Sequence, residues 1–185
     1  MNSQTNFSFR GTRNYLHSTT LFNYLIKLDS ESENIDFIMH KETNCQCRVV
    51  TEREEDNEAT LVATYKSKGM TSYSYETLEK ISARSPCNEP KILPFITLSA
   101  TRACCPLLIP EATFIEIVVA AYKALVSSLP LYENQKLVFA RLILDHLPKN
   151  QGFVVEHRRS LGNNFFEANI LLENQSIGKL IFGSK

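Results

Sequence analysis

The sequence predicts an α+β protein made of two similarly ordered halves, each with antiparallel strands surrounding a helix. Three observations predict it. First, Phe114-Ile115-Glu116-Ile117-Val118-Val119-Ala120-Ala121-Tyr122 is apolar almost all the way round. A helix on a protein surface shows one apolar stripe, whereas one apolar on every side is enclosed. Its β-branched residues are mediocre helix formers, so burial must supply the stability. Second, runs rich in β-branched and aromatic residues follow each helical stretch, as strands do. Third, the order of elements in the first half recurs in the second.

The elements follow from periodicity. Ser18 to Leu28 reads as a helix, with Ser18 placed to cap its free N–H groups and an apolar face behind it. Ile35 to Arg48 and Thr60 to Tyr65 read as strands. In the second half Ile92 to Leu98 reads as a strand, with Pro94 marking an edge or an irregular start. Pro110 suits a first helical position, and Glu111 complements the positive helix end, so the second helix is expected from there to about Ser128. Strands are expected at Lys136 to Leu144, Phe153 to His157, Phe165 to Leu172 and Ile177 to Phe182.

The repeat is visible in register. At a shift of 92 residues Arg10 meets Arg102, Leu16 meets Leu108 and Phe22 meets Phe114. At 100, Asn34 meets Asn134 and Ile38 meets Val138; at 105, Val49 and Val50 meet Val154 and Val155, and Ala63 meets Ala168. The shift only grows, as loop insertions would make it. Two segments look like linkers: the charged run Glu52 to Glu58, and the polar, Pro-bounded Ser82 to Pro90. The expected domains are therefore residues 1–85 and 91–185.

Composition narrows the function. The chain has 185 residues, 43% of them hydrophobic, with 20 Lys+Arg against 20 Asp+Glu. A chain of that length buries roughly 70% of its unfolded surface, enough for a core without disulfides. Zero net charge argues against nucleic acid as a partner, since phosphate binding needs a basic surplus. No apolar run reaches the ~20 residues of a membrane span, and the polar start Met1-Asn2-Ser3-Gln4 is no secretory leader. Five cysteines then read as reduced thiols in a cytoplasmic protein. Cys45 and Cys47 are spaced by one residue, not the two to four of a zinc site, and no second pair follows them. Cys104 and Cys105 lie before the second helix, where a helix end can stabilise a thiolate. Six scattered glycines make no phosphate cradle. No metal and no cofactor is expected.

Around Pro110 the sequence resembles the 3-hydroxyacyl-carrier-protein dehydratases of the hotdog superfamily. Their motif runs His-Phe-Pro, a few residues, Pro-x-Met-Pro-Gly, then a helix with an acid six places after the second proline. Pro110 is followed by Glu111-Ala112-Thr113-Phe114-Ile115-Glu116, which puts Glu116 at the acidic position. With the repeat, the resemblance implies a double hotdog: two fused copies, each a curved antiparallel sheet wrapped around a central helix, replacing the usual dimer. It implies action on acyl thioesters of acyl carrier protein or coenzyme A in fatty acid or polyketide metabolism, with a tunnel between the halves near the helix N-terminus. Thioesterases and acyltransferases share the fold, and so would a catalytically silent acyl-binding subunit. A monomeric pseudo-dimer or a homodimer fits equally. The departures are specific. Glu111 replaces the family glycine, Arg102 stands at the histidine position, and the first copy has Arg10 and Tyr24 at the two catalytic positions.

Five residues are candidates for chemistry. Glu116, a carboxylate in an apolar helix, loses hydration; its pKa is expected to rise toward neutrality, as an acid or base requires. The alternative is an edge carboxylate paired with an arginine such as Arg102. Arg10 and Arg102 can each hold a phosphate or carboxylate in a bidentate fork, or form structural ion pairs. Tyr24 can donate to a thioester carbonyl or fill the core with its hydroxyl at the rim. His17, just before the first helix, can act as a base toward Glu116 of the other copy, or simply start the helix. His40, His146 and His157 lie in or beside strands without ligand spacing.

Overall fold

The computed structural model describes every residue except 1–2, 30, 56–58, 106–108, 110, 131, 133–134, 150 and 163, and the backbone alone of Ser3 and Gln4. The chain divides into two compact units, Met1–Cys87 and Asn88–Lys185.

In the first unit come strands β1 (Ser3–Gln4) and β2 (Phe9–Arg10), helix α1 (Ser18–Leu28), then β3 (Glu33–Met39), β4 (Cys45–Val50), β5 (Leu61–Lys66), β6 (Thr71–Lys80) and β7 (Arg84–Ser85). The sheet order is β1-β4-β6-β5-β3, antiparallel throughout. β2 and β7 form a separate parallel pair. Helix α1 buries Leu21, Phe22 and Leu25, and Phe22 meets Phe37 of β3 and Tyr65 of β5 edge-on at 5.5 and 6.3 Å. Aromatic side chains supply large buried areas, so this cluster anchors the helix on its sheet. Ser18 is the first helical residue, not the cap; His17 holds the cap position, and its carbonyl accepts from Thr20 and Leu21.

The expected strand from Ile35 to Arg48 is broken after Met39, and β4 starts at Cys45. Strand β6 was not legible because its inward side chains are serines: Ser72 and Ser74 are 1% and 0% exposed. The core face of a strand normally shows as alternating apolar residues, and small hydroxyl residues hide that signal.

The second unit begins with a short helix, α2 (Glu89–Ile92), a single 3₁₀ turn Leu93–Phe95, and strands β8 (Thr97–Leu98) and β9 (Arg102–Cys105). Of the one strand expected from Ile92 to Leu98 only Thr97–Leu98 is a strand; helical turns in whose first positions Pro90 and Pro94 sit occupy Glu89–Phe95, and proline fits a first helical turn because it lacks the N–H that would go unpaired there. Helix α3 (Phe114–Ser127) follows, then β10 (Leu137–His146), β11 (Phe153–Leu161), β12 (Phe165–Leu172) and β13 (Gln175–Ser184). The sheet order is β10-β13-β12-β11-β9-β8, again antiparallel. α3 starts four residues later than expected, at Phe114. Glu111 lies outside it with a left-handed backbone (φ 66°), its carboxylate on Lys91 at 2.9 Å. Pro110, Leu108 and Asn134, used in the motif and the repeat, and the end of the Glu52–Glu58 linker lie outside the described residues.

The fold class is the expected one, α+β, with a helix held against an antiparallel sheet in each unit. From Phe114 to Val126 no residue of α3 is exposed. Phe114 meets Phe153 of β11 at 5.1 Å and Tyr122 meets Phe182 of β13 at 5.0 Å. Each unit places its long helix before its four longest strands. The neighbours differ, however: β4 lies beside β6 in the first unit, whereas β11 lies beside β12 in the second.

Candidate functional site

Glu116 sits in the first turn of α3 and is 7% exposed. Thr113, the residue capping the helix, donates its backbone N–H and its hydroxyl to Glu116 Oε2, both at 2.8 Å. The two residues form a capping box, in which a side chain three positions into the helix satisfies a donor that has no partner along the helix. The carboxylate is therefore both buried and hydrogen-bonded at the positive end of α3, a placement the helix dipole favours for an anion.

Arg102 lies on β9, opposite Glu156 of β11 in register, and donates to Glu156 Oε1 from Nε at 2.9 Å and Nη2 at 2.6 Å. This exposed cross-strand ion pair is the structural alternative considered for Arg102.

In the first unit, Arg10 and His17 both gather at the first turn of α1. Arg10 donates from Nε to Thr20 Oγ1 at 2.7 Å, and burial holds its guanidinium below the usual arginine pKa. His17 Nδ1 lies 2.7 Å from Thr19 Oγ1, and its ring stacks on Tyr15. Tyr24, one turn beyond Thr20 and so on the same helix face, meets Phe7 edge-on at 5.4 Å. The structure thus groups Arg10, His17 and Tyr24 around α1, and places Glu116 and Arg102 on separate elements of the second unit.

Cys104 and Cys105 are in strand β9. Burial, reinforced by Cys104, pushes the Cys105 thiol up to about 12, which disfavours its thiolate. Burial, with Glu76 and Cys45 adding to it, likewise pushes Cys47 up to about 12. An open cleft of about 640 Å³ in the first unit is lined by Cys45, Arg48, Glu76 and Lys80 among others, but its charged groups are each engaged by neighbouring side chains. Lys80 donates to Asn44 at 2.8 Å, Glu76 accepts from Lys41 at 2.7 Å, and Arg48 forks onto Glu54. Among the described residues no group of three His, Cys, Asp or Glu side chains is placed to hold a metal ion, and no helix is long and apolar enough to cross a membrane.

One constellation escaped the sequence. The Tyr122 hydroxyl of α3 lies 3.0 Å from His157 Nδ1, and His157 Nε2 lies 3.3 Å from Ser160 Oγ. In a regular strand, residues three apart face opposite sides. Here β11 carries a bulge between His157 and Arg159, so His157 pairs with Ala168 and Ser160 with Phe166, two buried residues on one face of β12. The extra residue turns both polar side chains to the same side. Only the spacing of His157 and Ser160 was visible beforehand, and the bulge was not.

No family model and no curated protein matches the chain. Among solved structures, it is similar to a putative thioesterase II from Thermobifida fusca, with 12% identity over 94% of this chain and 89% of that one, at a TM-score of 0.47. It is similar to the dehydratase domain from the CurJ module of the curacin polyketide synthase, with 10% identity over 92% and 86%, at 0.45. It is also similar to the tesB protein of Mycobacterium avium, with 7% identity over 96% and 89%, at 0.41.

Proposed function

We propose that the chain acts on acyl groups held as thioesters on acyl carrier protein or coenzyme A, by dehydratase-like acid–base chemistry with Glu116 as the ionisable group. The observation that carries this reading is the enclosure of α3 with a single carboxylate, Glu116, in its buried first turn. A carboxylate shielded from water beside an apolar helix can hold or release a proton next to an acyl chain. In the dehydration, Glu116 takes the proton from the carbon beside the carbonyl. The freed electron pair forms the double bond as the 3-hydroxyl leaves, and the same proton joins that hydroxyl to make water. Arg10 and Arg102 are the proposed anchors for the carrier's negative groups, and His17 and Tyr24 are further proposed catalytic groups.

A second reading, a catalytically silent acyl-binding subunit, is favoured by one specific observation: Glu116 Oε2 already serves Thr113 as a cap. Thioester hydrolysis or acyl transfer on the same fold is a third. Incubation with 3-hydroxyacyl thioesters and mass spectrometry separates them. Loss of one water from the substrate supports dehydration, release of free carrier thiol supports hydrolysis, and binding without change supports the silent subunit. Glu116→Gln is the decisive variant, because glutamine also closes a capping box and so keeps the helix start. Turnover lost with stability kept supports the acid–base role. Unchanged turnover removes Glu116 from the mechanism.

A further inference from the structure

Strands β4 and β6 bring a thiol and an amine together at the open cleft of the first unit, and the backbone register fixes their meeting. Cys45 is the direct cross-strand partner of Lys80, as Cys47 is of Glu76. Between those two pairs, Thr77, Leu78 and Glu79 of β6 stand opposite the single residue Gln46 of β4. Such a bulge bends the longer strand outward. Leu78 is fully exposed there, and Thr77 ties the bulge back by donating to the Gln46 carbonyl at 3.1 Å. Pairing resumes beyond it, where the Ile81 N–H donates to the Asn44 carbonyl at 3.0 Å. Residues directly opposite in an antiparallel pair send their side chains to one face, so Lys80 lies over Cys45.

The contact is close and braced. Lys80 Nζ donates to Cys45 Sγ at 3.1 Å and to Asn44 Oδ1 at 2.8 Å, and Cys45 Sγ lies 3.5 Å from the same Asn44 oxygen. Cys45 and Lys80 both line the cleft, and Cys45 is 4% exposed, an opening suited to a small solute and not to a bulky thiol. Cys47 is a poor competitor, because it is fully buried with its thiol pushed up to about 12. An oxidised cysteine sulfur condenses with a thiol or a nitrogen within reach before it takes up more oxygen. At Cys45 the nitrogen within reach is the Lys80 amine.

We propose that Cys45 and Lys80 form a modification site at which hydrogen peroxide joins sulfur to nitrogen, a covalent staple between β4 and β6. In the first step the Cys45 sulfur attacks one peroxide oxygen, the O–O bond breaks, and the thiol proton leaves with the other oxygen as water. The sulfur is oxidised by two electrons to a sulfenic acid, and the peroxide is reduced. In the second step Lys80 Nζ, having released a proton to solvent, attacks that sulfur. The S–N bond forms, the S–O bond breaks, and the hydroxyl leaves with one amine hydrogen as a second water. The protein loses two hydrogens in all. This site stands apart from the acyl-thioester reading, and neither depends on the other.

The test treats the full chain with hydrogen peroxide, digests it with trypsin and maps the peptides by mass spectrometry. Cys104, exposed on β9, serves as the internal control for oxidant. The expected product joins residues 42–48 to residues 69–84, with cleavage after Lys80 blocked. It should be lighter than the two peptides together by about 2 mass units, and dithiothreitol should separate them again. Lys80→Arg keeps a cation over the sulfur but removes the amine, so it should give no joined peptide and carry Cys45 on to the sulfinic acid. Three results overturn the proposal: a disulfide confined to residues 42–48, a sulfinic acid at Cys45 of the wild type with Lys80 still cleaved, or an unchanged Cys45 when Cys104 is oxidised.

Discussion

Thr113 and Glu116 close the first turn of α3 on each other: the threonine's N–H and hydroxyl both reach the same carboxylate oxygen at 2.8 Å. A carboxylate offered for chemistry is thus also the device that starts the enclosed helix. Structure and function can be separated here by choice of substituent. Glu116→Gln should leave the urea midpoint within error of wild type, whereas Thr113→Ala and Glu116→Ala should each cost about 1 kcal/mol, the usual worth of a cap. Equal losses from Gln and Ala would show that charge, not capping, makes the contribution.

Asp29, just past the end of α1, accepts from the Tyr65 hydroxyl at 2.6 Å and from the Glu31 N–H at 3.1 Å. Burial alone would raise its pKa, but these bonds together with Ser67 and the Ser32 backbone outweigh it and hold the carboxyl below its usual value. A folded-state pKa below the unfolded one means stability that is complete above about pH 4 and is lost as pH falls through the folded value. Tyr65→Phe should cost about 1–3 kcal/mol at neutral pH, the range for a buried group deprived of its partner, and should shrink the acid loss. Chemical denaturation from neutral pH down to pH 3 measures both effects.

His40 and His157 are both held below the ordinary histidine pKa by burial, with Arg53 adding to the effect at His40. The native state therefore binds fewer protons than the unfolded chain just below pH 6.5, so stability should decline as pH drops through that window. His157→Gln should flatten its part of the decline. The check is the slope of unfolding free energy between pH 7 and pH 5 in the two proteins.

Gly178 of β13 faces Leu144 of β10 in register, and a Cβ built there would stand 2.3 Å from the Ile143 carbonyl oxygen. Backbone cannot yield as a flexible side chain can, so Gly178→Ala should separate the β10–β13 pair. Expected outcomes are a clear drop in melting temperature and faster amide exchange at residues 142–144 and 178–180. Gly162→Ala probes a different constraint: its Cβ would meet nothing within 4 Å, so only its left-handed backbone (φ 58°) resists. Its loss should be the smaller, about 1 kcal/mol.

Some of this was legible in residues and some was not. α1 from Ser18 to Leu28 and β12 from Phe165 to Leu172 have the bounds their periodicity implies, because each buries one clear apolar face. The all-round apolar α3 announced its enclosure directly. By contrast, Leu93-Pro94-Phe95 reads as an apolar strand fragment yet forms a turn of helix, since proline geometry outweighs hydrophobic pattern over three residues. Arg102–Cys105 is too short to show alternation, and became a strand through its pairing with β11. At the site, Glu116 stood out as a lone carboxylate among apolar neighbours. Ser160 and His157 did not, because their meeting depends on one extra residue in β11, and a bulge leaves no mark in the order of side chains.

The most direct measurement is an NMR titration of the full chain with a 3-hydroxyacyl-pantetheine thioester, following the backbone amides of Thr113 to Ile117. Saturable shifts centred on those residues, absent with pantetheine alone, are the predicted result. Amides that stay in place at saturating ligand, or shifts confined to strands remote from the start of α3, would contradict the assignment of an acyl thioester to this protein.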